Sequence, residues 1–115
     1  MHGRIIRRFL LAAACTLAAP WATADGAVLL EFRGADLKMG ERLIREHRCA
    51  ECHARKVGGD GNSIYRPLGR INRPTALLAM VELCSVELKL QLFPEDVQAV
   101  AGVLQRDHYR FKPGP

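Results

Sequence analysis

Cys49-Ala50-Glu51-Cys52-His53 is the stretch on which the reading of this 115-residue chain turns. In a C-x-x-C-H run, two thiols separated by two residues reach neighbouring vinyl groups of a haem as thioethers, and the histidine that follows lies beneath the iron. The spacing marks Cys49 and Cys52 as attachment points for one covalent haem c, and His53 as the proximal iron ligand. Other chemistries suit the pair less well. Structural zinc needs four ligands, generally from two spaced Cys/His pairs, and Cys84 is the only other cysteine after residue 24. A dithiol redox centre opens a helix behind a strand in a βαβ setting, whereas this pair follows a helical run.

That run, Gly40-Glu41-Arg42-Leu43-Ile44, leads straight into the attachment site. On these residues the chain resembles the small class I c-type cytochromes, over most of its length after residue 35. The resemblance implies an all-α fold, a small helical domain wrapped around one covalent haem. It also implies that the first and last helices cross at a small residue, with an aromatic of the last helix packed there. Gly40 is the candidate for that crossing. Asp36 is placed to cap a first helix from Leu37 to about Arg48, with Leu37, Gly40, Leu43, Ile44 and His47 on one face. Ahead of it, residues 27–34 read as an extended lead-in lying across the domain.

Beyond His53, residues 54–72 carry Gly58-Gly59-Asp60-Gly61-Asn62 and Pro67-Leu68-Gly69. Such a density of turn residues predicts an irregular loop, and the resemblance implies that it wraps one haem edge. Arg55, Lys56, Tyr65, Arg66 and Arg70 are its candidates for pairing with the propionates, and the sequence does not choose among them. Pro74 opens a third segment, with Asn72 available as a cap and residues 75–84 helical in composition. Leu77, Met80, Val81 and Cys84 form one stripe on it. Residues 86–92 alternate apolar and polar, predicting an extended or irregular crossing, in which Leu88, Leu90 and Leu92 serve either as core or as an interface with another small cytochrome. Pro94 at the first helical position, with Glu95 and Asp96 in the first turn, starts the last helix. Val97, Val100, Ala101 and Leu104 are its buried face, Gly102 helps it approach the first helix, and Tyr109 and Phe111 follow as closing aromatics.

The sixth ligand decides what a haem does, because axial ligation is the protein's largest lever on potential and on access of small molecules. Class I cytochromes place a methionine in an extended loop shortly before the last helix. Here the chain departs from the pattern: Met80, the only methionine after the attachment site, lies inside a helical run without an adjacent proline. Cys84 is one turn further on, about 6 Å along a helix axis, so the two sulfurs share a face but cannot both ligate. An unpaired cysteine in an exported chain is explained if its sulfur binds iron. Cys84 followed by Leu92-Phe93-Pro94-Glu95-Asp96-Val97 resembles a subgroup of monohaem cytochromes with His/Cys coordination. Cys84 is therefore the favoured distal ligand and Met80 the alternative; an open, water-ligated or histidine-ligated site is the third reading. His47, two residues before Cys49, is on the proximal side and cannot reach the opposite face. His108 is a remote candidate.

Arg4, Arg7 and Arg8 precede an apolar run over residues 9–19, and Ala22-Thr23-Ala24 supplies the small residues that a signal peptidase reads. The sequence thus predicts a leader over residues 1–24 and a haem domain over residues 25–115. The apolar run falls short of the roughly 20 residues a transmembrane span needs, so no stable membrane anchor is expected. Lipidation at Cys15 would require an unusually short apolar stretch ahead of it and is disfavoured. Export agrees with covalent haem attachment, which in bacteria takes place outside the inner membrane, and the expected compartment is the periplasm. Three of the 17 basic side chains fall in the leader, leaving 14 against 12 acidic ones. That balance gives no support to nucleic-acid binding.

Three functions remain on these grounds. The first is one-electron transfer between redox partner proteins, with the haem as carrier and no catalysis. The second is a haem-based sensor or carrier of nitric oxide or carbon monoxide, whose sixth ligand is displaced. A haem enzyme is the third and weakest, because no distal His/Arg pair suited to peroxide activation is identifiable. A domain of about ninety residues is marginal for a self-sufficient core, and a large apolar plate tied to the chain would complete it.

Overall fold

The computed structural model describes residues 28–114, which contain four α-helices and no strand. The expected leader, its cleavage site after Ala24, Cys15 and Ala27 lie outside the described residues. The helices are α1 (Leu37–Glu46), α2 (Cys49–Val57), α3 (Pro74–Glu87) and α4 (Pro94–Leu104). No helix among the described residues is long and apolar enough to cross a membrane.

Helix α1 begins as the sequence predicts. The Asp36 side chain accepts the Met39 backbone N–H at 2.9 Å, satisfying one of the donors a helix start leaves free. Its end comes two residues early, because Arg48 adopts a left-handed conformation (φ 52°). That breaks the ladder and turns the chain into α2, so the C-x-x-C-H run is itself the first part of a helix. The turn-rich loop is correspondingly shorter than expected. Ala54, Arg55, Lys56 and Val57 continue α2 until Gly58, and residues 62–64 form a short 3-10 turn.

Helix α4 is the centre of the domain, with all of Ala99–Leu104 buried. Its start is fixed by Pro94 at the first position and by Asp96, whose Oδ2 accepts the Phe93 backbone N–H at 3.0 Å. Against it crosses α1, and both predicted glycines lie at the crossing. A Cβ on Gly40 would stand on the Ala99 carbonyl and 2.8 Å from Val103 Cγ2; one on Gly102 would meet Leu37 Cδ2 at 3.0 Å. The partner of Gly40 is thus the α4 backbone and a valine, not an aromatic.

Helix α3 completes the core through Leu77 and Val81. Arg73, in an extended conformation, precedes Pro74 and no side chain caps the helix, so Asn72 does not play that part. The helix runs on to Glu87, into the alternating segment. Residues 88–93 then cross irregularly, with Lys89 and Gln91 both left-handed (φ 55° and 57°). Buried Ser85 holds this crossing: its carbonyl accepts the Leu90 N–H at 2.9 Å and its hydroxyl the Leu92 N–H at 3.2 Å.

Two segments outside the helices also enter the core. The lead-in forms a 3-10 turn over Leu30–Phe32 that buries Phe32, and Gln98 of α4 pins it by donating to the Glu31 and Arg33 carbonyls at 3.0 and 3.3 Å. After α4 comes one π turn, Gln105–Tyr109, closed by Arg110 N–H donating to the Gln105 carbonyl at 2.8 Å. It buries Tyr109, and the Gln105 side chain holds Phe111 by accepting its N–H and donating to its carbonyl, both at 3.0 Å.

Candidate functional site

A cavity of about 340 Å³ lies between α1, α2, α3 and the crossing segment. Both thiols of the C-x-x-C-H run, the His53 imidazole, Met80 and Cys84 line it. Residues more than twenty-five positions apart in sequence therefore face one space, because α3 lies across that space from α2. The remaining wall is mostly aliphatic, including Leu43, Ile44, Ile71, Leu90 and Leu92, each only partly buried.

Helix α2 presents its chemistry without burying any residue of its own. It is held from behind by the loop that follows. Gly61 (φ 83°) packs so closely that a Cβ there would lie 2.7 Å from the Ala50 carbonyl oxygen and 2.9 Å from His53 Cβ. Only glycine suits that position, on both conformational and steric grounds. The same fold-back brings Tyr65 to the imidazole, with its hydroxyl 3.0 Å from His53 Nδ1. The rings meet edge to face, with centroids 5.3 Å apart and planes at 83°.

Burial governs the electrostatics. It pushes the Cys49 and Cys84 thiols above their ordinary values, with Glu87 adding to the effect at Cys84. It lowers His53, helped by the Lys56 ammonium, and it raises the Tyr65 phenol well above its usual range. Each group is thus biased toward its neutral form in the free protein, and neutral imidazole is the form that binds metal.

The other sequence candidates are distributed as follows. Lys56 lines the cavity, whereas Arg55, Arg66 and Arg70 are exposed and do not. Tyr65 lines it too, but its hydroxyl is engaged by His53. His47 sits on the cavity wall at the end of α1. His108 is outside it, stacked on the far face of the Tyr65 cluster at 4.3 Å between centroids. Leu90 and Leu92 turn toward the cavity, while Leu88 is at its rim and 55 % exposed. Ser85 and Gly61, which position the site, carry no linear signature; Gly61 was visible only as one glycine among four.

The donor set fits a haem c on its chemistry. Two thiols, an imidazole whose Nε2 has no hydrogen-bond partner among the described residues, and a largely aliphatic wall face one space. Comparison with protein families, curated proteins and solved structures found no match.

Proposed function

We propose that this chain is an exported monohaem cytochrome of the c type that passes single electrons between redox partners in the periplasm. Cys49 and Cys52 would hold the haem as thioethers, His53 would ligate through Nε2, and Cys84 or Met80 would supply the sixth ligand, with Cys84 favoured. The observation that carries the reading is the convergence of the C-x-x-C-H side chains and the two α3 sulfurs on one apolar cavity. A bound haem c supplies a one-electron ferric/ferrous couple.

The chain's own residues account for what such a carrier needs. With a haem in the cavity, Leu43, Ile44, Ile71 and Leu92 would pack against it and limit its contact with water, which lowers the local dielectric. Lys56, Met80, Glu87 and Leu88 are exposed at the rim, so one edge remains open for an electron to leave toward a partner.

Expression alongside a haem-attachment apparatus, followed by acid-acetone extraction and intact mass measurement, tests the reading. The parent is expected to retain one haem. Cys49→Ala or Cys52→Ala should lose most of it, and the double variant all of it. Full retention in the double variant, or a parent without covalent haem, would sink the assignment.

A further inference from the structure

Among the described residues, Tyr65 is the side chain within hydrogen-bond distance of the proposed proximal histidine, and haem attachment does not account for it. Its hydroxyl is 3.0 Å from His53 Nδ1, on the side of the ring away from Nε2. Ligating histidines generally hand their second N–H to an acceptor, which fixes the tautomer and ring orientation and makes the ligand more basic. The Tyr65 ring is itself fixed. His108 stacks on it at 4.3 Å with planes 27° apart, and Tyr109 meets it edge-on at 6.1 Å and 72°. Tyr109 is itself buried. A rigid path thus runs from the π turn after α4 through Tyr109 to Tyr65.

Resting on the haem reading above, we propose that Tyr65 is a positioning residue for the iron ligand, its hydroxyl oxygen accepting the Nδ1–H of His53 and thereby lowering the reduction potential. With Nε2 committed to the metal, Nδ1 carries the ring proton and can only donate, so the phenol oxygen is the acceptor. Electron density drawn onto the imidazole stabilises the ferric state over the ferrous. A phenol oxygen is a weaker acceptor than an ionised carboxylate, which offers a full charge. Outer contacts of this kind change metal affinity or activity roughly 10- to 100-fold, and the lower end, about tenfold, is taken for the ferric/ferrous equilibrium. For one electron that is ~59 mV.

The test uses the haem-bearing protein, with covalent haem established first by the pyridine haemochrome spectrum. In the proton–nitrogen spectrum of the ferrous parent, the His53 Nδ1 proton should exchange slowly and show a cross-relaxation peak to the Tyr65 ring. Tyr65→Phe keeps the ring and removes the acceptor. It should raise the midpoint potential by ~59 mV, the tenfold change above, and should speed exchange of the Nδ1 proton. His108→Phe, measured at pH 8, keeps a ring on Tyr65 and leaves the bond intact, so it should hold the parent potential. Equal shifts in both variants, or no change in Tyr65→Phe, would overturn the proposal. Should Tyr65→Phe fail to fold, the parent decides alone: a Nδ1 proton without a contact to Tyr65 overturns it, and one with that contact supports it. A parent lacking covalent haem would overturn the functional reading and this inference together.

Discussion

Replacing Gly40 by alanine puts the helix crossing to a quantitative test. The added methyl would stand on the Ala99 carbonyl, 2.6 Å from its carbon and 2.8 Å from Val103 Cγ2. A valine methyl can rotate aside, but a carbonyl inside α4 cannot, so α1 and α4 must move apart. Overpacking of this kind costs about 1–3 kcal/mol, and a backbone obstacle places Gly40 toward the upper end. Against it stands the helix-propensity gain of alanine over glycine, roughly 1 kcal/mol. The net loss is about 1–2 kcal/mol, which for a domain of this size lowers the melting temperature by about 4–16 °C at 4–8 °C per kcal/mol. Thermal unfolding of the holoprotein followed by circular dichroism reads it directly. Adding Val103→Ala should not restore the parent value, because the carbonyl contact remains. A Gly40→Ala protein melting at or above the parent would refute the close approach.

Two further outcomes are expected. Cys84→Ala should raise the potential by at least about tenfold in the ferric/ferrous equilibrium, ~59 mV, and remove the thiolate signature from ferric spin resonance, while Met80→Leu spares both. If Met80→Leu alone shifts the potential, methionine is the ligand and the protein an ordinary His/Met carrier. Arg106 bridges Glu41 of α1 at 2.8 Å and Asp107 at 2.7 Å, with all three side chains about two-fifths exposed at the surface, so Arg106→Ala should cost only about 0.2–1 kcal/mol. Arg106 holds the Asp107 carboxyl below its usual value. That contribution is complete above the ordinary carboxylate range and is lost as pH falls through the folded value; urea midpoints of parent and variant should therefore converge in acid. A gap that widens on acidification would show that Asp107 is not the partner.

The parts of the structure that were legible in the sequence are those written in local chemistry. Asp36 announces α1 through its capping oxygen, and Pro94 with Asp96 announces α4, because both devices act within three residues of themselves. Gly40 and Gly102 become candidates through the resemblance, which implies a close crossing of the first and last helices; a glycine by itself does not announce one. What escaped depends on partners far away. Phe32 sits in a short segment without periodicity, and only Gln98, 66 positions later, explains its burial. Arg48 ends α1 in a left-handed conformation that arginine rarely adopts, so no residue type signals the break. Residues 54–57 adjoin a glycine-rich run without sharing its conformation; Ala54, Arg55 and Lys56 are good helix formers, and the helix stops only at Gly58. Tyr65 stood in the sequence among five interchangeable propionate candidates, and its contact with His53 appears only when the Gly61 turn folds the chain back.

Helix α2 explains why fold and site share residues. Nine residues fall below the length at which an isolated helix is stable in water, and α2 buries none of its own to offset that. The Gly61 fold-back and the Tyr65 hydroxyl are the contacts that place it, and both act on or beside His53. The opposite side of α2 faces aliphatic side chains of α1, α3 and the crossing across the cavity, of which Leu43, Ile44, Leu90 and Leu92 are themselves only partly buried. Under the proposed function, thioethers at Cys49 and Cys52 and a bond from His53 would add three attachments from this helix to an apolar plate in contact with the other three elements. The same attachments that set the chemistry would then supply the burial that α2 lacks, and Tyr65 would carry the rigidity of α4 to the ligand through Tyr109.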